Sequence, residues 1–240
     1  GDRNIFAGDK STFYLESAKP RPFGFICQAP ALPTYYVHRP KIIAETKRRL
    51  LQDTAIGTLV VSAVYGLGGI GKSVLAAAIS YDEEIRDRFS DGILWVTLGQ
   101  EPKLLSLLGG WIQALGDYDF KPTSEEAASS YLRVLLQDKR LLLVIDDVWD
   151  AKHADLFRVG NTGCSVLITT REAAISGAES FDLSVMTSEQ SLTLLQQAMR
   201  RGLNTEEKAQ ALELSKAVGY LPLALELAAA QLEEGTTWDE

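Results

Sequence analysis

The chain has 240 residues, of which 46% are apolar and 23% charged, a composition ordinary for a soluble globular protein and a length that allows one large α/β domain or a domain with a smaller companion. Its formal charge of −8 gives no global positive field for nucleic acid or anionic lipid, so any phosphate must be captured by a local site. The two cysteines, Cys27 and Cys164, match no metal or redox spacing and are expected to be reduced, packed thiols of a cytoplasmic protein.

No run of 18 or more apolar residues occurs, so no membrane span is expected. The first residue is Gly rather than Met, and the chain is expected to be a piece of something larger. Residues 1–35 read as a tether. Residues 4–7 and 12–15 predict a short hairpin across Gly8 and Asp9, and Pro20, Pro22, Pro30 and Pro33 make the following stretch extended. Pro40 suits the first turn of a helix reaching Leu51, with Ile42, Ile43, Thr46, Leu50 and Leu51 on one face and Lys47, Arg48 and Arg49 on a solvated one.

Residues 58–65 predict a buried strand and residues 74–80 a helix. Residues 91–98 read as a strand by their β-branched and aromatic content. Helices follow near 103–115 and, from a capping-box pattern at residues 123–126, to about 137. Residues 140–145 are unbroken apolar, as a parallel strand covered on both faces requires, and end in Asp146 and Asp147. Residues 164–170 repeat that design and end in Arg171; residues 180–185 predict one more strand. From Thr187 strand signals stop, and helical periods run over 188–201, 205–218 and 222–234, with Thr187 and Gln190 as a second capping box.

The stretch that organises the rest is Gly66-Leu67-Gly68-Gly69-Ile70-Gly71-Lys72-Ser73, which spells G-x-x-x-x-G-K-[ST] between a predicted strand and helix. Glycines let backbone N–H groups face phosphate oxygens, and the helix start adds its positive end. Gly66, Gly68, Gly69, Ile70, Gly71, Lys72, Ser73 and Val74 are therefore expected to hold phosphate. Lys72 would reach the β- and γ-phosphates, and the Ser73 hydroxyl would ligate Mg²⁺. Open α/β sheets place ligands beyond the carboxyl ends of their strands, where Asp146 suits Mg²⁺ and Asp147 a general base. Arg171 can fork onto the γ-phosphate, which ATP has and ADP lacks. Lys72, Asp147 and Arg171 form the expected catalytic set. The expected fold class is α/β: a P-loop three-layer α/β/α sandwich with a mostly parallel five-stranded sheet over residues 36–186, then a small all-helical subdomain over 187–240.

Six stretches between Tyr36 and Leu232, in order, resemble the NB-ARC branch of the STAND ATPases, AAA+-related switch modules of resistance proteins and apoptosome adaptors. They are residues 37–39, the phosphate loop, and residues 92–98, 141–149, 166–171 and 219–224. His38 stands where the family usually has glycine, and Tyr220 where a small or polar residue is common. The resemblance implies that Val37 and Arg39 contact adenine, that Pro222 packs on the base, and that Leu223 joins the nucleotide-contacting residues. It also implies ADP/ATP with Mg²⁺ as cofactors, a closed ADP-bound monomer, a homo-oligomer in the active state with slow hydrolysis, and winged-helix, effector and repeat-sensor domains outside these 240 residues. Two other classes compete: a scaffold permanently holding ADP, and a conventional P-loop phosphotransferase or nucleic-acid motor. The second lacks an arginine-rich lid and a basic track.

Overall fold

Unbroken apolar runs become the inner strands of one sheet, and the periodic stretches become its covering helices. The computed structural model describes residues 24–52, 60–172, 175–233 and 238; the hairpin expected over residues 4–15 lies outside them. In chain order the elements are β1 (Ile26–Cys27), α1 (Pro40–Leu50), β2 (Val60–Tyr65), α2 (Lys72–Ser80), α3 (Glu83–Arg88), β3 (Gly92–Gly99), α4 (Leu104–Ala114), α5 (Glu125–Leu135), β4 (Leu141–Val148), α6 (Ala151–Asp155), β5 (Ser165–Thr170), β6 (Glu179–Asp182), α7 (Ser188–Ala198), α8 (Thr205–Ala217) and α9 (Pro222–Glu233). Among the described residues no helix is long and apolar enough to cross a membrane.

The sheet has six strands in the order β1-β3-β4-β5-β2-β6, and every pairing is parallel. The expected count of five is corrected to six, because the stretch read as tether supplies the edge strand β1. Gly92 makes that possible. Its φ is +129°, and a Cβ there would sit 2.1 Å from the Ile26 carbonyl oxygen, so only glycine admits the edge backbone so close. Two residues leave too short a signal for any pattern of alternation.

The middle strands β4 and β5 are buried on both faces, as helices on either side of a parallel sheet demand. One apolar cluster joins Leu94, Val96, Leu143, Ile145, Val166 and Ile168 to α4, α5 and α6. There Trp111 meets Phe157 edge-on at 5.1 Å and donates its indole N–H to the Trp95 carbonyl at 3.0 Å, so the buried ring leaves no polar atom unpaired. The opposite faces of the same strands, through Ile93, Leu142, Val144 and Leu167, pack on α1, α2 and α3. A third cluster lies among α7, α8 and α9, and includes Val37 and Met186 from outside those helices.

Three local expectations need correction. Helix α5 is capped by Ser124, whose hydroxyl accepts from the Ala127 N–H at 3.2 Å, so Thr123 does not form the expected capping box. Of the basic run in α1, Lys47 pairs with Asp82 and Glu84, while Arg49 pairs with Glu45 and Glu179 and lies over the Phe181 ring. That face is an ion-pair seam to α3 and β6 as well as a solvated surface. Cys164 is buried as expected, but Cys27 is exposed.

The capping boxes at Thr187/Gln190 and Asn204/Glu207 both form. Helix α8 ends with Gly219 at φ +63°; the Tyr220 N–H bonds the Ser215 carbonyl and the Gly219 N–H bonds that of Lys216, a Schellman ending. The Tyr220 carbonyl then accepts from the Met186 N–H at 3.2 Å. This bond ties the turn before α9 to the segment leaving β6.

Candidate nucleotide-binding site

Because β5 lies between β2 and β4 and all three run parallel, their carboxyl ends bring three sequence-distant tips side by side. After β2 the chain turns through the glycine stretch into α2. Gly69 and Gly71 have φ of +75° and +98°, and Gly71 caps the helix. The first turn of α2 carries no acid, so its free N–H groups and positive end suit an anion.

Lys72 is 8% exposed, and its Nζ donates to the carbonyls of Gly66 at 2.8 Å and Leu67 at 3.0 Å. Burial, then the nearby Arg171 cation, hold its pKa below the ordinary lysine value, against the pull of Asp147 and Asp146. Two cations facing carboxylates around a glycine cradle are the electrostatics of a polyanion site.

The acidic tip departs from a regular strand. Ile145 pairs with Ile168 but Val148 pairs with Thr170, so β4 holds one extra residue there, a bulge of the kind that re-aims side chains. Asp147 takes φ +52° and lines the cleft with Ser73, Thr169 and Arg171. Asp146 is 5% exposed and lies beneath, its carboxylate accepting from Thr169 Oγ1 at 2.6 Å and Thr97 Oγ1 at 3.3 Å. Thr169 Oγ1 also accepts from the Asp147 N–H at 2.9 Å. One threonine therefore orients both aspartates. The Arg171 guanidinium stacks 4.3 Å above the Trp149 ring and flanks Gly68. The Trp149 indole N–H is buried with no partner among the described residues.

Two chambers adjoin across the start of α9. The polar one, about 690 Å³ and open to solvent, is lined by the phosphate loop, Lys72, Ser73, Asp147 and Arg171, with Pro222 and Leu223. The apolar one, about 450 Å³, is lined by Tyr35, Tyr36, Val37, Val74, Met186, Leu194 and Pro222. Arg39 borders the apolar chamber, but its guanidinium is turned to backbone: it donates to the carbonyls of Ile70 at 3.4 Å, Val185 at 3.2 Å and Ser184. His38 is exposed.

The structure thus gathers Val37, Gly68, Gly69, Ile70, Gly71, Lys72, Ser73, Val74, Asp147, Arg171, Pro222 and Leu223 around one cleft. Asp146 and Gly66 lie beside it without lining it, and Arg39 serves as a strut. Sequence reasoning missed Tyr35, Tyr36, Met186 and Glu226. Glu226 was within reach: it lies four residues after Pro222, on the same helix face. It borders both chambers, and burial holds its carboxyl above the usual carboxylate range.

These residues fit a nucleoside phosphate, with an apolar slot beside a glycine cradle. No cluster of three metal-ligating side chains occurs among the described residues, whereas Ser73 and the aspartate pair are hard oxygen donors. That set suits Mg²⁺, which takes one or two protein ligands and completes its shell with phosphate and water.

The NB-ARC domain matches residues 40–203. The regulatory protein AfsR of Streptomyces griseus is 34% identical over 222 residues, covering 88% of this chain and 22% of that protein. Apoptotic protease-activating factor 1 of Rattus norvegicus is 33% identical over 156 residues, covering 61% of this chain and 12% of that protein. The chain therefore spans about a fifth or less of these relatives. Among solved structures, a signal transduction ATPase with numerous domains and a tetratricopeptide repeat sensor, from Pyrococcus horikoshii, superposes with a TM-score of 0.59 at 17% identity, over 87% of this chain and 31% of that one. At that identity the likeness speaks for the fold.

Proposed function

The chain belongs to the NB-ARC family of nucleotide-binding signalling proteins, and on that premise we propose that it is an adenine-nucleotide switch, closed with ADP and opened to self-associate with ATP. The observation that carries this reading is that α9 and the phosphate loop wall the same cleft: Pro222, Leu223 and Glu226 line it opposite Lys72 and Ser73. A ligand filling that cleft touches both, so it biases how they are arranged. Only a ligand that binds two arrangements unequally shifts their populations, and the γ-phosphate is the group that differs between ATP and ADP.

In this reading residues 36–186 bind nucleotide and residues 187–240 move against them. The base enters the apolar chamber between Val37, Val74 and Pro222. Phosphates lie on the loop N–H groups and Lys72. Ser73 and Asp146 would hold Mg²⁺, which would supply positive charge against the phosphate tail. Asp147 takes a proton from water, and Arg171 marks the terminal phosphate. Hydrolysis is slow, because Arg171 is the one arginine lining the polar chamber among the described residues, and a second would come from a neighbouring protomer.

The test is to release the copurifying nucleotide by heat and identify it, then titrate ADP and ATP into wild type and Lys72→Ala. Adenine nucleotide is expected, with affinity lowered about 10- to 100-fold by the loss of one charged donor. Recovery of guanine nucleotide, or equal affinity in the variant, would overturn the assignment.

A further inference from the structure

We propose that Glu226 is the ribose reader of this cleft, a carboxylate that accepts hydrogen bonds from the sugar's 2′- and 3′-hydroxyls and makes the site prefer ribonucleotides to deoxyribonucleotides. The inference rests on the nucleotide reading and extends it to the one part of the ligand that has no assigned contact.

The geometry comes from the two chambers. Gly71, Val74, Pro222 and Glu226 border both of them, so they mark the junction between the apolar slot and the phosphate cradle. A nucleotide has its ribose at that junction, since the sugar links base to phosphate. Of these four residues, only Glu226 carries a polar side chain. The ribose edge offers two O–H donors on adjacent carbons, and an ionised carboxylate offers two acceptor oxygens and no donor.

The electrostatics agree. Burial is the one influence that shifts the Glu226 carboxyl; no cation or hydrogen-bond donor among the described residues acts on it. Two nearby residues of α9, Leu223 and Leu227, are apolar and offer it no side-chain donor. A half-buried carboxylate left without a partner costs stability, and such a group inside a cleft marks a functional position. Phosphate cannot be its partner, because both are anions. Nor is it a protein-built cation site, since Glu226 joins no metal-ligating cluster. A neutral diol supplies hydrogen bonds without adding charge.

The experiment titrates ADP, 2′-deoxyADP and 3′-deoxyADP into wild type, Glu226→Gln and Glu226→Ala, with thermal melts to confirm that each variant is folded. Wild type is expected to bind ADP about tenfold more tightly than either deoxy analogue, the effect of one hydrogen bond to a charged group. Glu226→Ala should bring the three ligands within twofold of one another. Glu226→Gln, which keeps one acceptor oxygen, should retain part of the preference. Equal affinities in wild type, or a preference that survives in Glu226→Ala, would overturn the proposal while leaving the nucleotide reading intact. Failure of wild type to bind ADP at all would overturn both.

Discussion

The Leu223 N–H, in the first turn of α9, donates to the Gly69 carbonyl of the phosphate loop at 3.3 Å, and the Leu223 side chain lies against the Gly69 α-carbon. A Cβ on Gly69 would fall 2.9 Å from the Leu223 Cβ. The helical segment therefore touches the phosphate loop itself as well as the walls of the cleft, and the contact is tight enough to report on their separation.

Gly69→Ala should pry that contact open. The left-handed backbone alone costs about 1–2 kcal/mol for a residue with a Cβ, and the close approach to Leu223 adds to it. Urea denaturation should show the loss, and hydrogen exchange should show the Leu223 amide losing protection while β4 amides keep theirs. Unchanged exchange at Leu223 would mean that the contact is incidental.

Arg39 offers a second, independent handle on the same junction. Its guanidinium joins the phosphate loop at Ile70 to the segment after β6 at Ser184 and Val185. Arg39→Ala should cost about 1.5–3 kcal/mol, the value of hydrogen bonds to a charged group. Arg39→Lys should recover less than half of that, because an ammonium lacks the planar fork that spans two segments. Equal stability of Arg39→Lys and wild type in urea would refute the bridging role.

Much of this site was legible in the sequence, because the strand–loop–helix context of residues 58–80 and the runs ending at Asp146 and Thr170 each obey a local rule. Parallel pairing then forces their ends together. What was not legible depends on contacts across the fold. The bulge that turns Asp147 into the cleft is a property of the β4–β5 register, and nothing in residues 140–148 announces it. The turning of Arg39 to carbonyls depends on where β6 ends. Strand β1 has two residues and depends on the missing side chain of Gly92.

Two carboxylates should give stability differences with opposite slopes in acid. Glu45 is pulled down to about 2, first by the hydrogen bond from Arg48 and then by Arg49. A depressed value means that its contribution is complete above the unfolded value near 4.5 and is lost as pH falls toward 2. Glu226 is shifted the other way by burial, so the folded state holds its proton longer and its ionisation penalises folding as pH rises past the carboxylate range. Urea midpoints of Glu45→Gln and Glu226→Gln against wild type should therefore diverge as pH climbs from 3 to 7, the first falling behind and the second moving ahead. Parallel curves would contradict both assignments.

Asp147→Asn separates chemistry from binding. Asparagine tolerates the left-handed backbone at this position, so the bulge and the bond from its N–H to Thr169 Oγ1 should survive. ATP turnover should fall about 100- to 10,000-fold, the usual contribution of a general base, while ADP affinity stays within threefold of wild type. Turnover at the wild-type rate would remove Asp147 from the chemistry and leave Lys72 and the loop as a binding site alone.

The stack of Arg171 on Trp149 supplies an optical readout of the terminal phosphate. A guanidinium 4.3 Å above an indole is held by about 0.5–1 kcal/mol at a partly exposed site, less than a charge-assisted pair with phosphate contributes. ATP should therefore draw Arg171 from the ring toward the cleft it already borders, whereas ADP has no group there to compete. Tryptophan emission should change on adding ATP with Mg²⁺ and stay nearly constant with ADP. Trp149→Phe should abolish the difference, and Arg171→Ala should give the ATP-like emission without any nucleotide. An equal response to both nucleotides, or one that persists in Trp149→Phe, would detach Arg171 from sensing the terminal phosphate.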